Sequence, residues 1–577
     1  MRDLGSSRLG ALLLLVAAVE GCGPRAATPA ASVPLSATGT GGPRPGGHGP
    51  TPSAVAAAAE IDDLLEQQWR AAAVVPAAPA SDDEYLRRVT LDLLRRIPTL
   101  AEIDGHQSLG RGTGAAGRAE LVDTLLASAE HAEAWADLYL ELFVGGEFRK
   151  PGVTKRLDPR GYFVEAIRAN RRFDQVATEL LTFTGPIEPS GPGVFLASHL
   201  KGGGAEEAAA ATARLFLGLQ LQCAQCHDHP YDARYRQEDF YGLAAYFART
   251  KSRARRATGP DGEDMATASE DMAAPPDRDR PGRVYAIVDK TRGQTTFRRP
   301  DSLEDVVAVP RFLGRELQPA AGETPRQTLA RAVVQSELFA KVVVDRTWAQ
   351  LFGTGLVEPW DDLGGENDAR HPELLNRLAV DFRNRGFDVR RLLRTLVLSR
   401  AYGLTSRTPP SDGAEAVAPG AATFARAAVR RAAPDQIFRS LLVATGAAHT
   451  ERPGGEPMDK KIARLRKEYL FVFADEERAE VDTFDGNIPQ TLLLWNGEIV
   501  NRGARALPGG VLAGILAERP QPGARLERMF LATLSRSPSA TERARLLPVL
   551  TASGAGIAAY EDVFFALLTS TEMLTNH

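Results

Sequence analysis

Apolar positions recur at helical spacing along most of the chain. Leu86, Val89, Leu93 and Leu94 fall on one face of a helix. The run 342–352 is apolar and stops at Gly353-Thr354-Gly355, a helix stop. The run 205–221 is alanine-rich and then apolar, and it predicts another helix. Strand-like alternation is scarce. The best instance is 284–297, two short β-prone runs around Lys290–Gly293, which predict a small hairpin. The pattern therefore predicts a mainly α protein of two helical domains with a small β-hairpin near 284–297.

The same pattern sets the domain limits. Residues 59–250 form a first helical domain. Residues 251–325 form a connector, which opens with a charged, Pro/Gly/Asp-rich mobile loop over 251–283 and continues through the hairpin. Residues 326–577 form a second domain, interrupted by a Pro/Gly/Ala-rich break at 407–422. The two domains share an echo. Leu86, Val89, Pro98, Thr99 and Glu102 recur as Leu526, Met529, Pro538, Ser539 and Glu542. The phrase ending at Glu130 recurs in the one ending at Glu572. Each proline should end a helix, and each Thr/Ser-x-x-Glu should start the next as a capping box. The expected role of this shared element is scaffold rather than chemistry.

Length and composition narrow the classes. A chain of 577 residues is too long for one core. With 44% hydrophobic and 25% charged residues it is ordinary globular material. Lys+Arg is 69 against Asp+Glu 73, a net charge of −4, so there is no electrostatic case for nucleic acid as a partner. Three cysteines cannot build a disulfide framework. No phosphate-binding Gly-rich loop, nucleophile elbow or His-Glu-x-x-His occurs, so no enzyme class is assigned.

The N-terminus reads as an export signal. Arg2 and Arg8 precede an apolar run over 9–19, which ends at Val19-Glu20-Gly21-Cys22. This resembles a bacterial lipobox, with residues 1–21 removed and Cys22 lipidated; Glu20 departs from the usual small or apolar residue. An ordinary signal peptide with an incidental cysteine is the alternative. Residues 22–58 are rich in Pro, Gly and Ala and predict a disordered tether. The expectation is an exported protein on the periplasmic or outer-surface side, anchored to a membrane by lipid.

The remaining cysteines make Cys223-Ala-Gln-Cys226-His227, the attachment pattern for c-type haem. Two thiols at this spacing reach two vinyl groups of one porphyrin, and the adjacent imidazole meets the iron. With three cysteines and nine histidines in the chain, chance would give this pattern roughly 2 × 10⁻⁴ times. Tyr231, Tyr235, Phe240, Tyr241, Tyr246 and Phe247 crowd the next segment. They suit a wall for a macrocycle or, equally, a helix–helix core. His229 adds a fourth ligand type in seven positions, so a non-haem metal, zinc or iron, is an alternative. A bare Cys-x-x-Cys disulfide is a third. Met265, Met272 and His199 are weak candidates for the opposite face of a haem.

Phe216 to Pro230 around this motif, Asp239 to Phe247, and Tyr85 to Leu93 with Arg96-Ile-Pro-Thr99 together resemble the planctomycete-type cytochrome-c-like domain of unknown function (PSCyt type). Residues 326–577 resemble its usual C-terminal partner domain, also of unknown function (PSD type). They do so through Val344 to Gly353, Asp361-Asp362, His371 to Leu375, and Leu567 to Glu572. The resemblance implies a cytochrome-like label, export and this two-domain order. The motif itself points to one haem c held by Cys223, Cys226 and His227, with electron transfer implied and an unknown redox or envelope protein as partner. The resemblance supplies no established reaction. The alternative is a non-haem metal-stabilised scaffold or binding protein of the cell envelope.

Two further constellations stand out. Residues 361–373 hold five carboxylates with Asn367 and His371, which suits Ca²⁺ or acid–base chemistry. The rival reading is a helix start with Pro372 at its first position and acid near the dipole. Phe484, Asp485, Asn487 and Gln490, then Trp495 to Gly497, suit either a groove or a capped helix.

Overall fold

The computed structural model describes residues 53–577 apart from 109–113, 146–158, 188–190, 201–203, 230–231, 233, 257–282, 300–303, 365–366, 368, 408–422, 450–456, 474–487 and 555. The signal segment, Cys22, Tyr231, Met265, Met272, most of the 407–422 break, and Phe484, Asp485 and Asn487 lie outside the described residues.

The chain is mainly α-helical with small antiparallel sheets. The first helix, Ala54–Ala71, begins inside the stretch expected to be a tether. Ser53 caps it by accepting the Ala56 amide, and Ala54, Ala57 and Ala58 are buried. Alanine loses the least on entering a helix, so a polar-free alanine run with a cap folds once it has a surface to cover. The helix Glu337–Phe352 ends at Gly353 with φ +90°, as its sequence predicts.

The expected hairpin at 284–297 is corrected. Its two arms are strands that pair elsewhere. β1 (Gly185–Pro186), β2 (Thr250–Arg256) and β3 (Arg283–Asp289) make one antiparallel sheet in the order β1-β3-β2. β4 (Thr296–Arg298) pairs instead with β5 (Asp305–Val307). The first six residues of the expected connector loop, 251–256, are thus strand: β3 forms a ladder with β2 along its whole length, from Thr250 opposite Asp289 to Arg256 opposite Arg283. The turn residues are used otherwise. Lys290 N donates to Arg249 O, and a Cβ on Gly293 would lie 2.4 Å from Ala248 O. A seven-residue ladder satisfies more backbone than a three-residue arm can, so the distant partner wins.

The apolar cores divide the chain in their own way. One spans from Ile61 to Ala425 and unites residues on both sides of position 325. A second runs from Ala432 to Leu574 and recruits Leu91 and Ile97 from far upstream. The helix Asp82–Leu94 is the joint: every residue from Glu84 to Leu94 is buried. Its polar side chains find partners across the fold. Asp92, 0% exposed, accepts from Arg430 (2.8 and 2.9 Å), Tyr402 Oη (2.7 Å) and Asn576 Nδ2 (2.9 Å). Arg87 reaches Thr533 O, Glu572 O and Thr575 O. Arg88 bonds Tyr402 O, Leu404 O and Glu84. Buried charge persists only when paired or hydrogen-bonded, so these partners allow the helix to sit between two cores.

Candidate functional site

The predicted helix 205–221 is broken into three pieces, and the break places the cysteines. An α-helix, Ala205–Thr212, widens into a π turn, Ala213–Leu217. Gly218 then turns left-handed at φ 62°, ψ 44°. A Cβ there would come 2.8 Å from Leu363 Cγ and 3.0 Å from Val342 Cγ2, so only glycine allows this approach. A 3-10 turn, Leu221–Gln225, follows. It buries Leu221 and Ala224 and leaves Cys223 and Cys226 exposed as free thiols. Cys226 N donates to Cys223 O at 3.4 Å and closes the turn.

The two histidines differ in their commitments. His227 is exposed, and its Nδ1 donates to Asp228 O at 2.7 Å. That bond fixes a tautomer with the lone pair on Nε2, the arrangement a metal-binding imidazole needs. His229 is half-buried; its Nε2 donates to Gln220 O at 3.2 Å and its amide to Tyr235 O. Among the described residues, no three His, Cys, Asp or Glu side chains stand together in a way that could hold a metal ion. His199 donates through Nε2 to Phe143 O, and its ring packs 4.8 Å from Phe195.

The helix Gln237–Ala244 braces the far side. Gln237 N donates to Asp228 Oδ1 (3.0 Å) and Gln237 Nε2 to Gln225 O (3.1 Å), which pins the histidine segment to the helix start. The aromatic cluster splits between its two readings. Phe240 and Phe247 are fully buried in the core with Leu243. Tyr241 stacks on Phe297 with ring centroids 4.7 Å apart. Burial raises its hydroxyl above the ordinary range, and the charges of Glu206 and Cys226 add to this. Tyr241 and Tyr235 are half-buried beside the motif, while Phe240, Tyr246 and Phe247 are core.

The structure joins two constellations that lie 138 positions apart by first residue (Cys223 and Asp361). Leu363 N donates to Gly218 O at 2.6 Å, and Gln220 Nε2 donates to Asp361 Oδ1 at 3.1 Å. Arg214 lies 3.6 Å from Asp361, and Arg346 donates to Leu215 O. Burial raises the Asp362 carboxyl, opposed by the amides of Gly364 and Gln220 and by the charge of His229. Asp362 also accepts from Asn367 at 2.9 Å. The carboxylates at 361 and 362 therefore dock the second half of the chain onto the cysteine turn. Farther along, His371 and Pro372 open the helix Pro372–Asn384, as the helix-start reading predicts. Gly218, Gln220 and Gln237 carry no motif. Their signal is a glycine and two amides flanking Cys223–His229, legible only once the partner loop is known.

The turn carries two exposed thiols beside an imidazole held through Nδ1, the residue types that a c-type haem would require. The fit lies in those atoms. The buried phenylalanines contribute packing beneath the turn rather than a wall beside it.

Comparison with known proteins gives two matches. Residues 60–252 match PSCyt2, a protein of unknown function (DUF1549). Residues 325–550 match PSD1, a protein of unknown function (DUF1553). No curated protein and no solved structure matches the chain.

Proposed function

We propose that this chain, which belongs to the PSCyt2 and PSD1 families in that order, is an exported, lipid-anchored, cytochrome-c-like protein that binds one haem c. Cys223 and Cys226 would carry the covalent attachments and the His227 imidazole would hold the iron. The observation that carries the reading is the exposed turn on which both thiols sit beside an imidazole whose Nδ1 is committed to Asp228 O. When bound, the haem supplies one-electron redox chemistry. The chain's own part is to hold the turn: Gly218 and Gln220 fasten it to Asp361–Leu363, and Gln237 fastens it to the helix behind. Its partner is a redox or envelope protein. The membrane contact runs through lipid on Cys22.

The test is expression in a host competent in cytochrome c maturation. A denaturing gel stained for haem should show a band that disappears in the Cys223→Ala, Cys226→Ala double variant. A folded, haem-free wild type from such a host overturns the reading. For the anchor, Cys22→Ser should move the protein to the soluble fraction; equal membrane association overturns it.

A further inference from the structure

Large exposed apolar side chains stand on two adjoining helices of the C-terminal core. Phe471 is 82% exposed, Ile488 76%, Leu492 52% and Trp495 41%. These helices, Met458–Phe473 and Ile488–Asn496, meet where Gln490 Nε2 donates to Val472 O. On the first helix Lys460, Arg464, Lys467 and Phe471 are spaced i, i+4, i+7, i+11 and all are exposed, while Leu465, Tyr469 and Phe473 are buried on the opposite face. On the second, Ile488, Leu492 and Trp495 repeat the i, i+4, i+7 spacing as an exposed apolar stripe, with Leu493 and Leu494 buried.

We propose that this pair of helices is a membrane-surface contact that recognises anionic lipid headgroups. A basic stripe ending in phenylalanine, beside an apolar stripe ending in tryptophan, is the chemistry of an interfacial amphipathic surface. Lys460 and Lys467 meet the headgroup charge, and the apolar side chains enter the acyl boundary. Glu498 draws on Lys461 and Arg464, which leaves Lys460 and Lys467 as the main charges of the stripe. The acidic run Asp475, Glu476, Glu477 and Glu480 lies outside the described residues. A second copy of the chain is the poorer occupant. Four partly exposed side chains offer on the order of 500 Å² of apolar area, short of the roughly 800 Å² per partner that a stable dimer needs. A lipid surface requires no shape complement. The two helices, of 16 and 9 residues, are shorter than the roughly 20 residues a span needs, so the contact is peripheral. The proposal is independent of haem.

The test uses the full chain with two vesicle preparations, phosphatidylcholine alone and phosphatidylcholine with phosphatidylglycerol. Lipid on Cys22 enters both preparations alike, and the basic signal segment is common to wild type and variants, so the readout is the change in anionic preference between them. That preference should fall roughly tenfold in Lys460→Glu, Lys467→Glu and in Phe471→Ser, Trp495→Ser, and should weaken with salt. Circular dichroism and the unfolding midpoint check that these exposed substitutions leave the fold intact. Equal binding to both preparations overturns the proposal, as does an anionic preference unchanged in folded variants. Loss of self-association in the variants with vesicle binding unchanged reassigns the pair of helices to a contact between copies.

Discussion

Arg96 and Arg536 hold the same partners atom for atom. Arg96 Nη1 donates to Ile97 O and to Glu102 Oε2, its Nη2 to Glu102 Oε1 and Glu130 Oε2, and its Nε to Glu130 Oε1. Arg536 does the same with Ser537 O, Glu542 and Glu572. The preceding residues, Arg95 and Ser535, are both left-handed at φ 57°. Ser128 and Ser570 also match: each hydroxyl donates to the leucine three residues back and accepts the amide three residues on. The two copies touch. Leu86, Ile103 and Leu531 form one small cluster, and Arg528 pairs with Asp104. The echo in the sequence is thus one structural element used twice.

Thr99→Ala and Ser539→Ala should each cost about 0.5–2 kcal/mol, the usual loss of an N-cap. Thr99 and Ser539 accept the Glu102 and Glu542 amides at 3.2 Å, and both glutamates return the bond at 2.7 Å. Urea unfolding of each variant measures the loss. Ser539 lies in the more exposed copy, so equal costs in both would show that the cap, and not its burial, sets the value.

Arg96→Gln and Arg536→Gln should each destabilise by about 1–3 kcal/mol. Removing one partner of a buried pair costs about 3–5 kcal/mol, but the glutamates here are roughly a third exposed and water screens them. The variants should also lose part of the acid sensitivity. Burial works against ionisation of Glu102, Glu542 and Glu572, yet the arginines outweigh it and hold all three carboxyls below 4.5. A depressed carboxyl adds stability above its unfolded pKa and loses it as pH falls through the folded value. Wild type should therefore weaken steadily below about pH 4.5, and each glutamine variant should weaken less steeply. Unfolding midpoints taken across that range decide it.

Asp345 predicts the opposite slope. It is 0% exposed, Oδ1 accepts the amides of Leu356 and Val357, and Oδ2 is buried without a hydrogen bond among the described residues. Burial raises its carboxyl to about 7. The folded protein then binds more protons than the unfolded chain between the two pKa values, so this group lowers stability as pH rises from about 4 to 7. Asp345→Asn should flatten that decline, and its advantage over wild type should be larger at pH 8 than at pH 4. An advantage that does not change with pH would refute the assignment.

Gly218→Ala should loosen the loop on the cysteine turn. A left-handed alanine costs roughly 1–2 kcal/mol, and its Cβ would press within 3 Å of Leu363. Hydrogen exchange at the Leu363 amide, which bonds Gly218 O, should speed up, while the Arg96 and Arg536 clusters keep their protection.

The sequence by itself determined the local devices. Helical periodicity, the stop at Gly353, the proline breaks, the capping boxes and the Cys-x-x-Cys-His turn depend on residues a few positions apart, and short-range sterics and hydrogen bonds decide them. The echo is legible for the same reason. Only the tertiary structure decided which partners the long-range groups take. β3 left its local hairpin for β2, because a seven-residue ladder outweighs a tight turn. The helix Asp82–Leu94, amphipathic by pattern, is buried all round because Asp92, Arg87 and Arg88 find partners hundreds of residues away. The carboxylates at 361 and 362 became the dock for the cysteine turn because Gly218 lets Leu363 approach. Such pairings depend on three-dimensional closeness of groups whose own sequence neighbourhoods carry no sign of one another.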